Sequence, residues 1–184
     1  AEGPDHCGEV QTACLGLSPV PTHPEDGGQA GLSDFADFVR PRRLNTHKGS
    51  FGSAGILGGA HSMVGAALLT GRAALKLGAG RVYVGLLEPR PPACDLLQPE
   101  LMLRVPQALF QADLSALACG PGLGASLEAS ELLETAIATT LPLLFDADAL
   151  NLVASEGNLQ VALASRSVPA VLTPHPAEAA RLLD

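Results

Sequence analysis

The sequence is poor in aromatic and charged residues. It has no tryptophan and one tyrosine among 184 residues, and only 16% of the residues are charged. Base stacking needs aromatic side chains and phosphate backbones attract clusters of Lys and Arg, so we expect no nucleic-acid partner. The net charge of −8 also disfavours an anionic membrane surface as a partner.

Closely spaced cysteine pairs and long apolar runs are absent as well. The four cysteines are Cys7, Cys14, Cys94 and Cys119. None of them forms a CxxC pair, so we expect neither a zinc site nor a redox motif. Free thiols are typical of the reducing cytosol, and we expect a cytoplasmic protein. The most apolar window, residues 65–80, contains Arg72 and Lys76 and is too short to cross a bilayer.

Glycine and proline are abundant instead. The chain has 20 glycines and 15 prolines, and 47% of its residues are hydrophobic, so it can bury a core and still make many tight turns. Residues 18–33 are rich in both and follow no period. We expect residues 1–45 to be a linker or tail and residues 46–184 to form the folded domain.

From Phe51 onward, predicted strands alternate with predicted helices. The strands are GSAGILGG, RVYVGLL, DLSALACG, LPLLF and VPAVLT. The helices are GAALLTGRAALKLGAG, SLEASELLETAIAT, DADALNLVAS and PHPAEAARLLD. Because the strands are almost continuously apolar, the pattern predicts an α/β fold with a mostly parallel sheet flanked by helices.

Two predicted helices show an apolar side that should face the sheet. In the first helix this side consists of Ala66, Leu69, Thr70, Ala73, Ala74 and Leu77. In the second helix it consists of Leu132, Leu133, Ala136 and Ile137.

Four unusual segments each follow a predicted strand directly: GGAHSMVG, GPGLG, DADAL and TPHPAE. The carboxyl ends of parallel strands lie at one edge of a sheet, where ligands bind in open α/β folds. The sequence therefore predicts that these four loops form one binding site.

The two glycine loops are candidate sites for phosphate. Gly65 and Ala66 begin a predicted helix, whose first N–H groups favour an anion, and Gly120, Gly122 and Gly124 flank the next helix start. Neither loop has the GxGxxG or Walker pattern in the required register. A tight turn that needs glycine for packing explains the first loop equally well, and a plain strand-to-helix turn explains the second.

Polar candidates follow the later strands. Asp146 lies at a strand tip, where it could hold a metal or polarise a hydroxyl, whereas Asp148 more simply caps the next helix. His175 is held between two prolines and is a candidate ligand contact. Lys48 is a candidate phosphate contact, with a solvated surface lysine as the alternative, and His61 is expected to face solvent.

Together the motifs closely resemble the ADP/ATP-dependent NAD(P)H-hydrate dehydratases. The matching stretches are HKGSFGSAGILGGAHSMVGAALLTGRAALKLGAGRVYVG, GPGLG, DADALNLVA and LTPHPAEAARLL, in order over residues 46–184. The resemblance implies a ribokinase-like fold and a role in nicotinamide nucleotide repair. ADP or ATP, with Mg²⁺, would drive loss of water from hydrated NADH or NADPH by phosphorylation of the hydroxyl and elimination of phosphate.

By position, the resemblance implies that four residues contact the hydrated nucleotide: Gly65, Ala66, Gly122 and His175. In this family a later segment contains a Lys-Gly nucleotide loop and a Gly-x-Gly-Asp motif whose Asp is the catalytic base. Neither occurs before Asp184. We therefore assign no catalytic residue, keep Asp146 as an auxiliary candidate, and expect this chain to be inactive on its own.

The resemblance suggests two further expectations and leaves two alternative functions open. The segment DFADFVRPRRLNTHKG resembles the junction that follows an epimerase domain in some relatives. A sheet without its last strands would expose an edge and an apolar face, so we expect marginal stability or self-association as a homo-oligomer. The alternatives are a vitamin-precursor kinase of the same fold, such as a hydroxymethylpyrimidine or thiazole kinase, and a non-catalytic dinucleotide-binding piece.

Overall fold

The computed structural model describes residues 31–36 and 41–183. The chain divides into two compact units, residues 1–43 and residues 44–184. Most of the predicted linker, residues 1–45, lies outside the described residues. Within the first unit the structure describes one short 3₁₀ helix, Leu32–Phe35.

The second unit is built on a parallel sheet, as the sequence predicts, and the sheet has six strands. The strands are β1 (Ser53–Gly58), β2 (Arg81–Leu86), β3 (Met102–Arg104), β4 (Ala116–Cys119), β5 (Leu143–Phe145) and β6 (Ala170–Leu172). Their order across the sheet is β3-β2-β1-β4-β5-β6. The chain therefore builds outward from β1 in one direction and then returns to the other side of β1 with β4.

Helices connect the strands. They are α1 (Val64–Leu77), α2 (Leu127–Ala138), α3 (Asp148–Ser155), α4 (Gly157–Ala164) and α5 (Pro176–Leu183), with 3₁₀ helices at Lys48–Phe51 and Pro106–Gln111. Within the described ranges, no helix is long and apolar enough to cross a membrane. The four predicted helices are confirmed; β3 and α4 were not predicted, because three residues are too short a pattern and α4 has no clear apolar side.

The core lies on both faces of the sheet. On one face α1 packs over β1 and β2, around Ile56, Val84 and Ala67. On the other face α2 and its neighbours cover β4 and β5, around Phe145 and Leu117. The predicted apolar side of α2 is confirmed, since all four of its residues are buried.

The predicted buried side of α1 is wrong. The residues of α1 that the sheet covers are Ala67 and Gly71, whereas Leu69 and Leu77 are 62% and 87% exposed. The helix lies over β1 and β2, so part of its predicted apolar side, including Thr70 and Leu77, turns toward β4–β6. A groove of about 430 Å³ separates it from those strands and includes Leu77, Leu144 and Val171.

Candidate functional site

The candidate site lies where the strand order reverses, between β1 and β4. These strands pair in parallel, with Leu57 opposite Cys119, although β2 and β3 separate them in the chain. Ligands bind at such switch points, outside the carboxyl ends of the strands. The loops that follow β1, β4, β5 and β6 all leave this edge, as predicted.

Hydrogen bonds join the first two loops directly. Gly59 N–H donates to Pro121 O at 3.1 Å, and Ala60 N–H donates to Gly122 O at 2.6 Å. Gly120 N–H donates back to Leu57 O at 3.0 Å. The loop after β1 and the GPGLG loop therefore form one backbone platform.

Two glycines of GPGLG are required by close packing. Gly120 has φ +126°, and a Cβ on it would lie 1.7 Å from Asp146 O. Gly122 has φ +61°, and a Cβ there would lie 2.7 Å from Met63 Cβ. Only glycine fits at these two positions. Contact of Gly120 or Gly122 with a ligand stays a prediction.

The two predicted helix starts differ in how open they are. The N-cap residue of α1 is Met63, whose side chain makes no capping hydrogen bond, and Gly65 has nothing within 4 Å of its Cβ position. Ala66 N–H already donates to Met63 O at 3.1 Å. At α2, by contrast, Ser126 Oγ accepts from Ala129 N–H at 3.1 Å. The start of α1 is thus the more open of the two to an anion.

Asp146 is held in place from the neighbouring strand. Its Oδ1 accepts a hydrogen bond from Thr173 Oγ1 at 2.9 Å, and Thr173 N–H donates to Phe145 O at 3.1 Å. Thr173 is a functional candidate that the sequence analysis missed, although its place at the tip of β6 was a usable signal. His175 follows two residues later with an exposed side chain, and its N–H donates to Glu178 Oε2 at 2.8 Å.

The expectation that Asp148 caps the following helix is wrong. Asp148 is the first residue of α3, and the cap position belongs to Ala147, which makes no side-chain cap. The Asp148 carboxylate instead accepts from Gly124 N–H at 2.8 Å. Asp148 therefore joins the loop after β5 to the GPGLG loop. Its carboxylate already accepts from the Gly124 N–H group, which was one of the groups predicted to receive phosphate.

Backbone strain is concentrated at this edge. In the described ranges, the two non-glycine residues with positive φ are Ser62, at 64°, and Ala147, at 48°. Each lies in a loop that follows a strand of the site. Strain of this kind costs about 1–3 kcal/mol and clusters at ligand-binding sites, where surrounding contacts maintain it.

The described side chains do not form a protein-only metal site. No group of three or more His, Cys, Asp and Glu residues gathers in residues 31–36 and 41–183. Asp146 and Asp148 are turned to different partners, Thr173 and Gly124. Mg²⁺ commonly binds through substrate phosphates with few carboxylates, and its binding here together with a nucleotide stays a prediction.

Two other groups complete the description of the site. Burial raises the pKa of the Cys119 thiol, directly before GPGLG, to about 12, so this thiol is neutral and unreactive.

Lys48 lies before β1, and its carbonyl lies beside Gly80 at the amino edge of the sheet. The length of β1, about 20 Å, separates Lys48 from the four loops, so the structure does not bring it together with the other candidates.

The fold is that of the ribokinase-like α/β proteins. A ribokinase-like superfamily protein of Enterococcus faecalis superposes with a TM-score of 0.62 over 77% of this chain and 51% of its own, at 24% identity. The sequence profile of the NAD(P)H-hydrate dehydratase family matches residues 54–184. The chain belongs to this family of lyases, which confirms the resemblance seen in its motifs.

Two relatives show the extent of the match. The ADP-dependent (S)-NAD(P)H-hydrate dehydratase of Neisseria meningitidis is 37% identical over 81% of this chain and 51% of its own length. The Bacillus subtilis ADP/ATP-dependent dehydratase, co-crystallised with ATP and Mg²⁺, is 27% identical with a TM-score of 0.58, over 77% of this chain and 50% of its own. The chain therefore spans about half the length of these relatives.

Proposed function

We propose that this chain takes part in nicotinamide nucleotide repair, the ADP- or ATP-dependent dehydration of NAD(P)H hydrate to NAD(P)H. The observation that supports this most directly is that the family match includes all four loops of the carboxyl edge. The proposed role of the described residues is to bind and orient the hydrated dinucleotide.

The residues have distinct proposed roles. The open start of α1 receives a phosphate of the dinucleotide through the Gly65 N–H group, and Ala66, whose own N–H donates to Met63 O, contacts the ligand beside it. Gly122 shapes the platform beneath the ligand, and the exposed His175 contacts it from the β6 side. Lys48 is left out of this site because it lies at the opposite edge of the sheet.

The reaction proposed has two steps. The hydrate's hydroxyl oxygen takes the terminal phosphoryl group of ADP or ATP, whose terminal P–O bond breaks to release AMP or ADP, and the hydroxyl proton is lost. The C–O bond then breaks as phosphate leaves and a neighbouring carbon loses a proton. Phosphate is a far better leaving group than hydroxide. The carboxylates of Asp146 and Asp148 already accept hydrogen bonds, from Thr173 and Gly124, so we propose an orienting role for them rather than that of general base.

The decisive experiment measures binding and turnover separately. The 184-residue chain is titrated with NADH hydrate by calorimetry, then incubated with hydrate, Mg²⁺ and either ADP or ATP while the absorbance of reduced nicotinamide is followed. The Neisseria dehydratase serves as the active reference. We expect hydrate binding by this chain, with turnover far below that of the reference.

The outcomes separate the alternatives. Absence of hydrate binding would contradict the proposed function. A stable phosphorylated vitamin precursor as product would identify a small-molecule kinase instead. Turnover at the rate of the reference would contradict the expectation that this chain is inactive on its own.

Three lesser proposals accompany the main one. We propose that residues 1–45 follow an epimerase domain, which the junction-like segment before residue 50 supports. Free thiols at Cys94 and Cys119 support a place in the cytoplasm. The exposed apolar groove beside α1 supports a homo-oligomer.

A further inference from the structure

A histidine–glutamate pair joins the first of the four loops to the residues after β2 and has no role in the function proposed above. His61 Nδ1 and Glu88 Oε2 are 2.9 Å apart. The His61 side chain is 83% exposed, whereas that of Glu88 is 14% exposed. His61 belongs to the loop after β1, and Glu88 follows β2, the neighbouring strand on the other side.

Glu88 is fixed on both sides. Its Oε1 accepts from Arg90 N–H at 3.2 Å, and its own N–H donates to Gly59 O at 3.0 Å. The hydrogen bond from Arg90 N–H, together with that from His61, holds the pKa of the Glu88 carboxyl below its usual range. The carboxylate is therefore ionised at neutral pH and can only accept hydrogen bonds.

The ionised carboxylate decides the tautomer of His61. Because Glu88 offers no proton, Nδ1 of the imidazole must be the donor of the 2.9 Å contact. In the neutral ring Nε2 then has a free lone pair. The ring's exposure leaves this acceptor open to a ligand, in an orientation set by Glu88.

The loop places this acceptor within reach of a dinucleotide. Ala60, the residue before His61, donates to Gly122 O at 2.6 Å, so the loop touches the GPGLG platform. Strands are spaced about 4.8 Å apart, so the row of loops from β2 to β6 spans about 19 Å. A bound dinucleotide would contact His61 if it extends along this row to the end of β2.

We propose that His61 Nε2 accepts a hydrogen bond from a ribose hydroxyl of the bound dinucleotide, with Glu88 as the residue that positions the imidazole. This inference rests on the proposed function. A hydroxyl is the group that suits the position, because it donates to a lone pair and carries no charge. A phosphate oxygen would face the negative charge of Glu88 and has no proton to give.

The test uses two substitutions that separate the imidazole's contact with Glu88 through Nδ1 from its proposed contact with the ligand through Nε2. His61→Asn keeps a donor near Nδ1 and the contact with Glu88 but has no group at Nε2, whereas His61→Gln places its amide near the position of Nε2. We expect His61→Asn to weaken NADH binding about tenfold and His61→Gln to weaken it less than about threefold. Calorimetry measures both, and thermal unfolding checks that each variant folds as the wild type does.

A matched control is His47→Asn. His47 is another exposed histidine, its Nδ1 accepts from Gly49 N–H at 3.1 Å, and it precedes β1 at the opposite edge of the sheet. Titrations with nicotinamide mononucleotide and with ADP decide which of the two riboses is contacted. We expect His61→Asn to weaken one of these two ligands, and His47→Asn to weaken neither.

Three results would overturn the inference. Wild-type affinity in His61→Asn would show that Nε2 makes no contact. Equal losses in His61→Asn and His61→Gln, or equal losses for both half-ligands, would show that the pair serves only to hold the loop. If the wild type binds neither NADH nor its hydrate, the proposed function fails together with this inference; the other results leave the proposed function intact.

Discussion

Replacing Gly120 with alanine tests whether the two central loops are packed as described. The new Cβ would lie 1.7 Å from Asp146 O and 2.8 Å from Asp146 C, which no rotation of a side chain can relieve. The backbone at φ +126° adds strain of about 1–2 kcal/mol. Displacing the loop after β5 adds about 1–3 kcal/mol, as other overpacked sites do.

We therefore expect Gly120→Ala to lower the free energy of unfolding by about 2–5 kcal/mol, and Tm by about 5–15 °C. Far-UV circular dichroism in urea is the suitable assay, because the chain has no tryptophan. The control is Gly157→Ala, since nothing lies within 4 Å of that Cβ position. We expect the control to stay within about 1 kcal/mol of the wild type.

A loss of less than about 0.5 kcal/mol in Gly120→Ala would contradict the described contact between GPGLG and Asp146. An equal loss in both variants would show that alanine disturbs these turns for reasons other than this contact. A selective loss in Gly120→Ala would confirm that the turn after β4 and the tip of β5 are packed backbone to backbone.

Three further predictions follow from buried or exposed groups. The Arg72 guanidinium contacts both Asp95 oxygens at 2.7 Å and holds the pKa of that carboxyl below its usual range. A carboxyl whose pKa is lower in the folded than in the unfolded protein stabilises the fold at pH values above its unfolded pKa. We therefore expect Asp95→Asn to cause its full loss of stability above about pH 5, and this loss should vanish as the pH falls through the lowered pKa. Alkylation of the native protein should modify the exposed Cys94 and spare the buried Cys119, as peptide mass spectrometry would show. Val171→Glu should reduce self-association in sedimentation velocity, because Val171 is 56% exposed beside the apolar groove.

Each of these has a contrary result. A stability difference for Asp95→Asn that is independent of pH would mean that the charges of the ion pair contribute nothing to the free energy of unfolding. Alkylation of Cys119 without denaturant would contradict its burial. Leu127→Glu, at a residue 76% exposed on the opposite face, is the control for Val171; equal effects of both would place self-association elsewhere.

Local pattern was sufficient for much of the fold. The apolar runs and the helical periods predicted the parallel sheet, because a strand buried on both faces needs apolar residues throughout. The four segments after strands predicted one shared edge, because parallel strands place all their carboxyl ends together.

The tertiary structure alone decided which of these residues meet. The strand order set β1 beside β4. The rotation of α1 about its axis decided which of its apolar residues are buried. The partners of Asp148 and His61 lie 24 and 27 residues away in the chain, at Gly124 and Glu88. A sequence period fixes the faces of one element, whereas these contacts depend on how separate elements pack against each other.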